Sequence, residues 1–153
     1  MPIRCQIFKG IEKTCLSAIP KKTKIKIPSA SDINSSFAYD EYMDILKEKL
    51  KKFVKDREWD QFHNPKNLVL SLISETGELA EIFRWLSQEE CNQVMQNPKL
   101  AQHIREELAD VFNNLILLSM KLNIDLVNEG EKKLSLTEKK YPSSEWKGKA
   151  HQV

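Results

Sequence analysis

The sequence predicts an all-α fold, an antiparallel bundle of four to five helices that assembles into an oligomer. Two observations carry this. After Tyr39, apolar residues recur at three- and four-residue spacing through most of the chain. Only four glycines are present and β-branched runs are scarce, which disfavours a sheet built on tight turns. A length of 153 residues suits one domain with a single core.

Residues 1–38 read as a flexible N-terminal extension. They hold Pro2, Pro20 and Pro28, the basic run Lys21, Lys22, Lys24 and Lys26, and a polar linker from Ser29 to Ser36. Tyr42, Ile45, Leu46, Leu50, Phe53 and Val54 then mark the apolar face of a helix that ends near Arg57 or Trp59. Asn64-Pro65 signals the next start, because Asn caps and Pro suits the first turn, where an amide has no partner anyway. That helix is expected to reach Leu86. The polar stretch Ser87 to Pro98 has room for a short helical turn. A long helix follows from Leu100 to Leu122, broken at Asn123, and Asp125 caps a last one from Leu126 to Lys140. Pro142 is expected to forbid further helix, leaving 143–153 as a polar tail after a domain spanning 39–142.

Charge is nearly balanced, 24 basic against 22 acidic residues, so nothing overall points to nucleic acid or a membrane surface. Lys21 to Lys26 lack the interleaved aromatics that stack bases, and no apolar stretch could span a bilayer. Cys5, Cys15 and Cys91 form no CxxC pair and are expected as reduced thiols. A cytoplasmic location follows. The alternative is mitochondrial, since the first 38 residues are basic with Ser and Thr, although rich in Lys rather than Arg.

The chemistry lies in two carboxylate pairs, Glu75-x-x-Glu78 and Glu107-x-x-Asp110. Residues three apart share a helix face. On a wheel, Leu68 and Ile82 lie roughly 20° from Glu75, and Leu100 and Leu118 roughly 20° from Glu107. These carboxylates therefore border or interrupt the apolar stripes. Buried carboxylates are costly unless paired or metal-bound. One explanation is that they meet lysines, backbone donors or water. The other is that both pairs converge across antiparallel helices on a hard divalent cation, Mg²⁺ with Mn²⁺ as a substitute. The three histidines, His63, His103 and His151, form no H-x-x-x-H pair, which argues against zinc. No G-x-x-x-x-G-K-[ST] loop is present. The run Val111 to Leu118 is apolar almost all round, which calls for a partner subunit.

Several runs act together: Arg57-Glu58-Trp59-Asp60-Gln61-Phe62-His63-Asn64-Pro65-Lys66-Asn67-Leu68, Glu75-Thr76-Gly77-Glu78, Trp85, Glu106-Glu107-Leu108-Ala109-Asp110, and Lys140-Tyr141-Pro142. In this order they resemble the all-α nucleoside triphosphate pyrophosphohydrolases, and within them the MazG-like dCTP pyrophosphatases, over about residues 40–142. The resemblance implies hydrolysis of the α–β phosphoanhydride bond to monophosphate and pyrophosphate, with Glu75, Glu78, Glu107 and Asp110 as catalytic Mg²⁺ ligands. It implies a nucleoside triphosphate substrate and a dimer or tetramer. It places Trp59, Trp85 and His63 at the base and Lys121 and Lys133 near the triphosphate. Three positions depart from the family's substrate contacts: Asn114 stands for a Tyr, Thr137 for an Asn and Leu50 for a His. These departures bear on base preference rather than on metal chemistry. They also motivate the alternative reading, a degenerate nucleotide-binding or helical oligomerisation module.

Overall fold

The computed structural model describes residues 36–149, with side chains from Glu41 to Lys149. Within that span the chain is helical throughout, without a strand. Most of the N-terminal extension, with Cys5, Cys15 and Lys21 to Lys26, lies outside the described residues, as does His151.

Helix α1 runs Ser36–Asp56, starting ahead of the Tyr39 expected. Its buried residues, Leu50 and Val54, stand one turn apart. The chain leaves α1 through Glu58, which takes the left-handed conformation at φ 55, and enters a single 3₁₀ turn, Trp59–Gln61. Asn64 then caps α2 (Pro65–Phe83), its side-chain oxygen accepting from the Asn67 amide at 3.0 Å, with Pro65 in the first turn. The helix stops at Phe83, short of the Leu86 expected, and Trp85 falls in the turn beyond it.

The polar stretch is more ordered than a single turn. Ser87 and Glu90 form a reciprocal capping box, Glu90 N–H to Ser87 Oγ at 3.3 Å and Ser87 N–H to Glu90 Oε2 at 2.8 Å. It starts α3 (Gln88–Gln93), and a second 3₁₀ turn, Val94–Gln96, leads to Asn97. Asn97 caps α4 (Pro98–Leu122), which ends at Asn123 in the left-handed conformation, φ 54. Asp125 caps α5 (Leu126–Lys140) by accepting from the Val127 and Asn128 amides, both at 3.1 Å.

Pro142 does not end the helical region. It sits at the N-cap of a short α6 (Ser143–Trp146), whose ring Trp146 meets Tyr141 edge-on at 5.0 Å. Proline blocks continuation of the preceding helix because it lacks an N–H, yet that N–H is not needed where a new helix begins.

Helices α2 and α4 pack antiparallel along their lengths. Leu68, early in α2, shares a core with Ile116 and Leu117, late in α4, and α1 adds Leu50 and Val54. Toward the other end of the pair, Val94, Ala101 and Ile104 are buried. Helix α5 has no buried residue, and its Val127, Leu134 and Leu136 are about 60% exposed (61%, 59% and 60%). The outer face of α2 is also apolar, with Leu70 and Ile73 exposed above Gly77.

Candidate functional site

The antiparallel crossing of α2 and α4 brings carboxylates from both helices to one point. Glu75 comes from α2, and Glu107 and Asp110 from α4; one oxygen of each lies within 4.8 Å of the others. Glu75 and Glu107 are buried, at 6% and 8% exposure, and Asp110 is half-buried. Glu78, one turn beyond Glu75, stands exposed outside this trio, but its charge still reaches Glu75 and Asp110.

Burial pushes the Glu75 carboxyl up to about 7, with further upward pressure from Asp110, Glu78 and Glu107. Burial likewise raises Asp110, helped by Glu107, Glu78 and Glu106. Among the described residues, no Lys or Arg forms an ion pair with Glu75, Glu78, Glu107 or Asp110. No described lysine is therefore a partner of these carboxylates. The donor set is all oxygen and strongly negative, which suits a hard divalent cation. The residues present thus fit a divalent metal, with Glu75, Glu107 and Asp110 the side chains able to hold it.

One neighbour was not singled out from the sequence. His103, one turn before Glu107 on α4, places Nε2 3.1 Å from Glu107 Oε1. The H-x-x-x-E spacing was there to be read, since residues four apart on a helix face each other.

Asn114, the next turn of α4 after Asp110, is 1% exposed, and its Nδ2 donates to the Asp110 carbonyl at 3.0 Å. Beyond it, a cavity of about 520 Å³ opens where α1, the first 3₁₀ turn and the end of α4 meet, lined by Val54, Asp60, His63, Leu68, Leu117 and Lys121 among others. His63 is buried, and burial lowers its pKa, Asp60 opposing and Lys121 assisting. Lys121 Nζ meets Asp60 Oδ1 at 3.2 Å. Trp59 is half-buried beside this pocket, edge-on to Phe53 at 5.7 Å and tilted toward His63 at 6.5 Å. From Leu68 at the pocket to Glu75 is seven residues of α2, roughly 10 Å along the axis.

The structure therefore sorts the residues singled out from the sequence into three places. Glu75, Glu107 and Asp110 form the trio, with Glu78 at its rim. His63 and Lys121 line the pocket, Trp59 stands next to His63 outside its lining, and Asn114 lies between on α4. Trp85, 79% exposed with the Arg84 guanidinium 4.8 Å from its ring centre, and Lys133, exposed on α5, line neither place. Leu50 is a core residue, packed with Val54, Leu68, Ile116 and Leu117.

No protein-family model matches the chain. Curated relatives do. The dCTP pyrophosphatase 1 of Rattus norvegicus is 38% identical over 91 residues, 60% of this chain and 54% of the relative. That of Homo sapiens is 36% identical over 92 residues, 60% and 54%, and that of Bos taurus 33% over 107, 70% and 63%. The chain thus spans little more than half the length of these relatives. A crystal structure of a pyrophosphatase from Archaeoglobus fulgidus is 35% identical and superposes with a TM-score of 0.62, covering 66% of this chain and 93% of that one. Helical hairpin, paired acidic motifs and these similarities together define the class: the chain belongs to the all-α, MazG-like nucleoside triphosphate pyrophosphohydrolases. Within that class its curated relatives are dCTP pyrophosphatases.

Proposed function

We propose that the chain is a nucleotide diphosphatase, which hydrolyses a pyrimidine deoxynucleoside triphosphate, dCTP or a close relative, to monophosphate and pyrophosphate, with Mg²⁺ as its ion. The observation that carries this reading is the trio Glu75, Glu107 and Asp110, clustered within 4.8 Å without a Lys or Arg partner among the described residues. A triphosphate would be repelled by such a cluster, so a divalent ion held by these three is what makes the site compatible with its substrate. Bound there, the ion supplies neutralisation of phosphate charge and a lowered pKa for the attacking water.

In the reaction, the water oxygen forms a bond to the α-phosphorus, the bond from that phosphorus to the α–β bridging oxygen breaks, and pyrophosphate departs with that oxygen. Glu78, exposed at the rim, takes the role of holding the water and accepting its proton. The pocket at His63 takes the base. A neutral imidazole offers one donor and one acceptor to a pyrimidine edge, and the lowered pKa of His63 keeps it neutral. Trp59 supplies a flat apolar face beside it. Lys121, which lines the same pocket, offers a cation to the phosphates of a nucleotide bound there.

The same reading includes a homo-oligomer, dimer or tetramer. The exposed Leu70 and Ile73 on α2 and the apolar residues exposed on α5 support it, because exposed apolar patches mark surfaces where proteins meet. Residues 39–142 form the catalytic domain. A nucleotide-pool role puts the chain in the cytoplasm or, alternatively, the mitochondrial matrix, where the free thiol Cys91 stays reduced. No described helix is long and apolar enough to cross a membrane.

The test is product analysis over a panel of ribo- and deoxynucleoside triphosphates, with Mg²⁺ and with EDTA. Metal-dependent monophosphate plus pyrophosphate, fastest for dCTP or a related pyrimidine, is the expected result. Binding without turnover across the panel would replace it with a nucleotide-binding module.

A further inference from the structure

Resting on the reading above that the His63 pocket takes the base, we infer that Asp60 selects it: its carboxylate accepts a hydrogen bond from the exocyclic amino group of a 4-aminopyrimidine and disfavours a ring with a keto oxygen at that place. Asp60 and His63 come from one stretch of chain, joined by the His63 N–H donating to the Asp60 carbonyl at 3.2 Å, and both residues line the cavity. His63 is 8% exposed, and its ring forms no hydrogen bond among the described residues. It therefore meets the cavity with a donor and an acceptor unspent. The charge of Asp60 reaches this imidazole, where it opposes the effect of burial, as expected of two groups on one wall.

A neutral imidazole reads either kind of pyrimidine. The N3 of cytosine needs a donor, the N3–H of uracil needs an acceptor, and the ring carries one of each. Selection then falls to a group of fixed sense, and an ionised carboxylate only accepts. Set against a 4-amino group it gains an N–H···O bond. Set against a 4-keto oxygen it faces another acceptor, and both lose water without replacement.

The Asp60 carboxylate is held from α4. Lys121 Nζ donates to its Oδ1 at 3.2 Å, and no described residue bonds to Oδ2. The other described ion pairs join residues three or four apart on one helix, so this is the pair that ties the 3₁₀ turn to α4. An exposed pair adds little stability; what it does here is fix one oxygen and leave the other free to accept. An ammonium has three donors, so Lys121 keeps two for a phosphate. The rest of the lining supplies the controls. Glu58 is a second carboxylate there, without an ion pair among the described residues. Lys51 is tied to Glu48 at 2.7 Å, whereas Lys55 has no described ion pair and is the donor that would favour a keto oxygen instead.

The experiment measures kcat/KM for dCTP and for dUTP, with saturating Mg²⁺, on the full chain as wild type, Asp60→Asn and Glu58→Gln. The ratio of the two cancels any effect on folding, metal or phosphate. Expected is a ratio favouring dCTP by about 10-fold or more in wild type and within about 3-fold of unity in Asp60→Asn, whose amide can turn either its oxygen or its NH₂ to the base. Glu58→Gln should keep the wild-type ratio. A second comparison needs no variant. The 2-pyrimidinone deoxynucleoside triphosphate has neither amino group nor keto oxygen at position 4, so wild type should turn it over more slowly than dCTP and faster than dUTP. A wild-type ratio near unity, a ratio that Asp60→Asn leaves unchanged, an equal collapse in Glu58→Gln, or equal rates for dCTP and the pyrimidinone each overturn the inference and leave the hydrolase standing. A ratio reversed toward dUTP overturns it too and gives the selecting role to Lys55. No turnover of any of these triphosphates by wild type removes the proposed function, and this inference with it.

Discussion

Replacing Glu75 with Gln should stabilise the metal-free chain at alkaline pH. The cause is the carboxyl's position: buried at 6% exposure among Asp110, Glu78 and Glu107, it ionises only at about 7 instead of 4.5. A raised folded-state pKa means the folded chain holds the proton over a window where the unfolded chain has released it. Stability is then fully present below about 4.5 and declines as pH rises through about 7. Asp110, also raised, adds to the decline in the same direction. The displacement corresponds to about 3 kcal/mol above pH 8, which partial solvent screening of the cluster reduces to about 2 kcal/mol. An amide of the same shape carries no charge to bury. The assay is urea unfolding of wild type and Glu75→Gln in EDTA at pH 5 and pH 8. The variant should gain about 2 kcal/mol on wild type at pH 8 and little at pH 5. Mg²⁺ should then reverse the order, since an ion at 100 times its Kd stabilises only the chain that binds it, by about 2.7 kcal/mol. Wild-type stability in EDTA that is flat or rising between pH 5 and 8, or a variant equally weakened at both, would refute the reasoning.

Three further outcomes follow from the same structure. Glu78→Gln, at an exposed helical position, should lower kcat on the preferred triphosphate by about 10²–10⁴-fold while circular dichroism and melting stay near wild type, because its task is proton handling at the rim; full turnover would remove Glu78 from the site. A Cβ at Gly77 meets nothing within 4 Å, so Gly77→Leu should leave the helix of a lone subunit intact, yet shift the species seen by light scattering toward monomer if a second copy covers the Leu70–Ile73 face. An unchanged mass would show that α2 is not at the interface. Leu68→Ala, at the 3%-exposed junction of α1, α2 and α4, should cost about 2–5 kcal/mol in denaturant unfolding; a loss under about 1 kcal/mol would mean that the site collapses to fill the space.

The helices and the carboxylates were legible because both obey one period. The wheel that put Glu75 near Leu68 and Glu107 near Leu118 also put them face to face once two apolar stripes paired. Glu78 was harder to read, since it lies on the stripe's edge and the packing decided which side of that edge it took. Trp85 stands where periodicity gives out: α2 stops at Phe83, and beyond that point a wheel assigns no direction. His103 escaped notice because a lone histidine at a half-exposed position looks like surface until its partner is seen. The apolar residues of α5 show the converse limit. Val127 and Leu134, seven residues apart on one face, carry the apolar pattern of a packed helix but are exposed in a single chain, since the pattern records that a face is covered without naming the cover. Leu50, noted as a departure from a substrate-binding histidine, turned out to be a core side chain, a role that hydrophobicity alone would have assigned it.

Helix α4 carries Glu107, Asp110, Asn114, Leu117 and Lys121 at intervals of three or four residues along one unbroken rod, Pro98–Leu122. It therefore acts as a ruler. From Asp110 to Lys121 is roughly 16 Å, graduated at about 1.5 Å per residue. A substitution erases one mark, but one residue inserted between those two positions would swing every later mark through about 100°. The carboxylates would then face one way and the pocket another. Evolution can rewrite the letters along this stretch, but it cannot change their number.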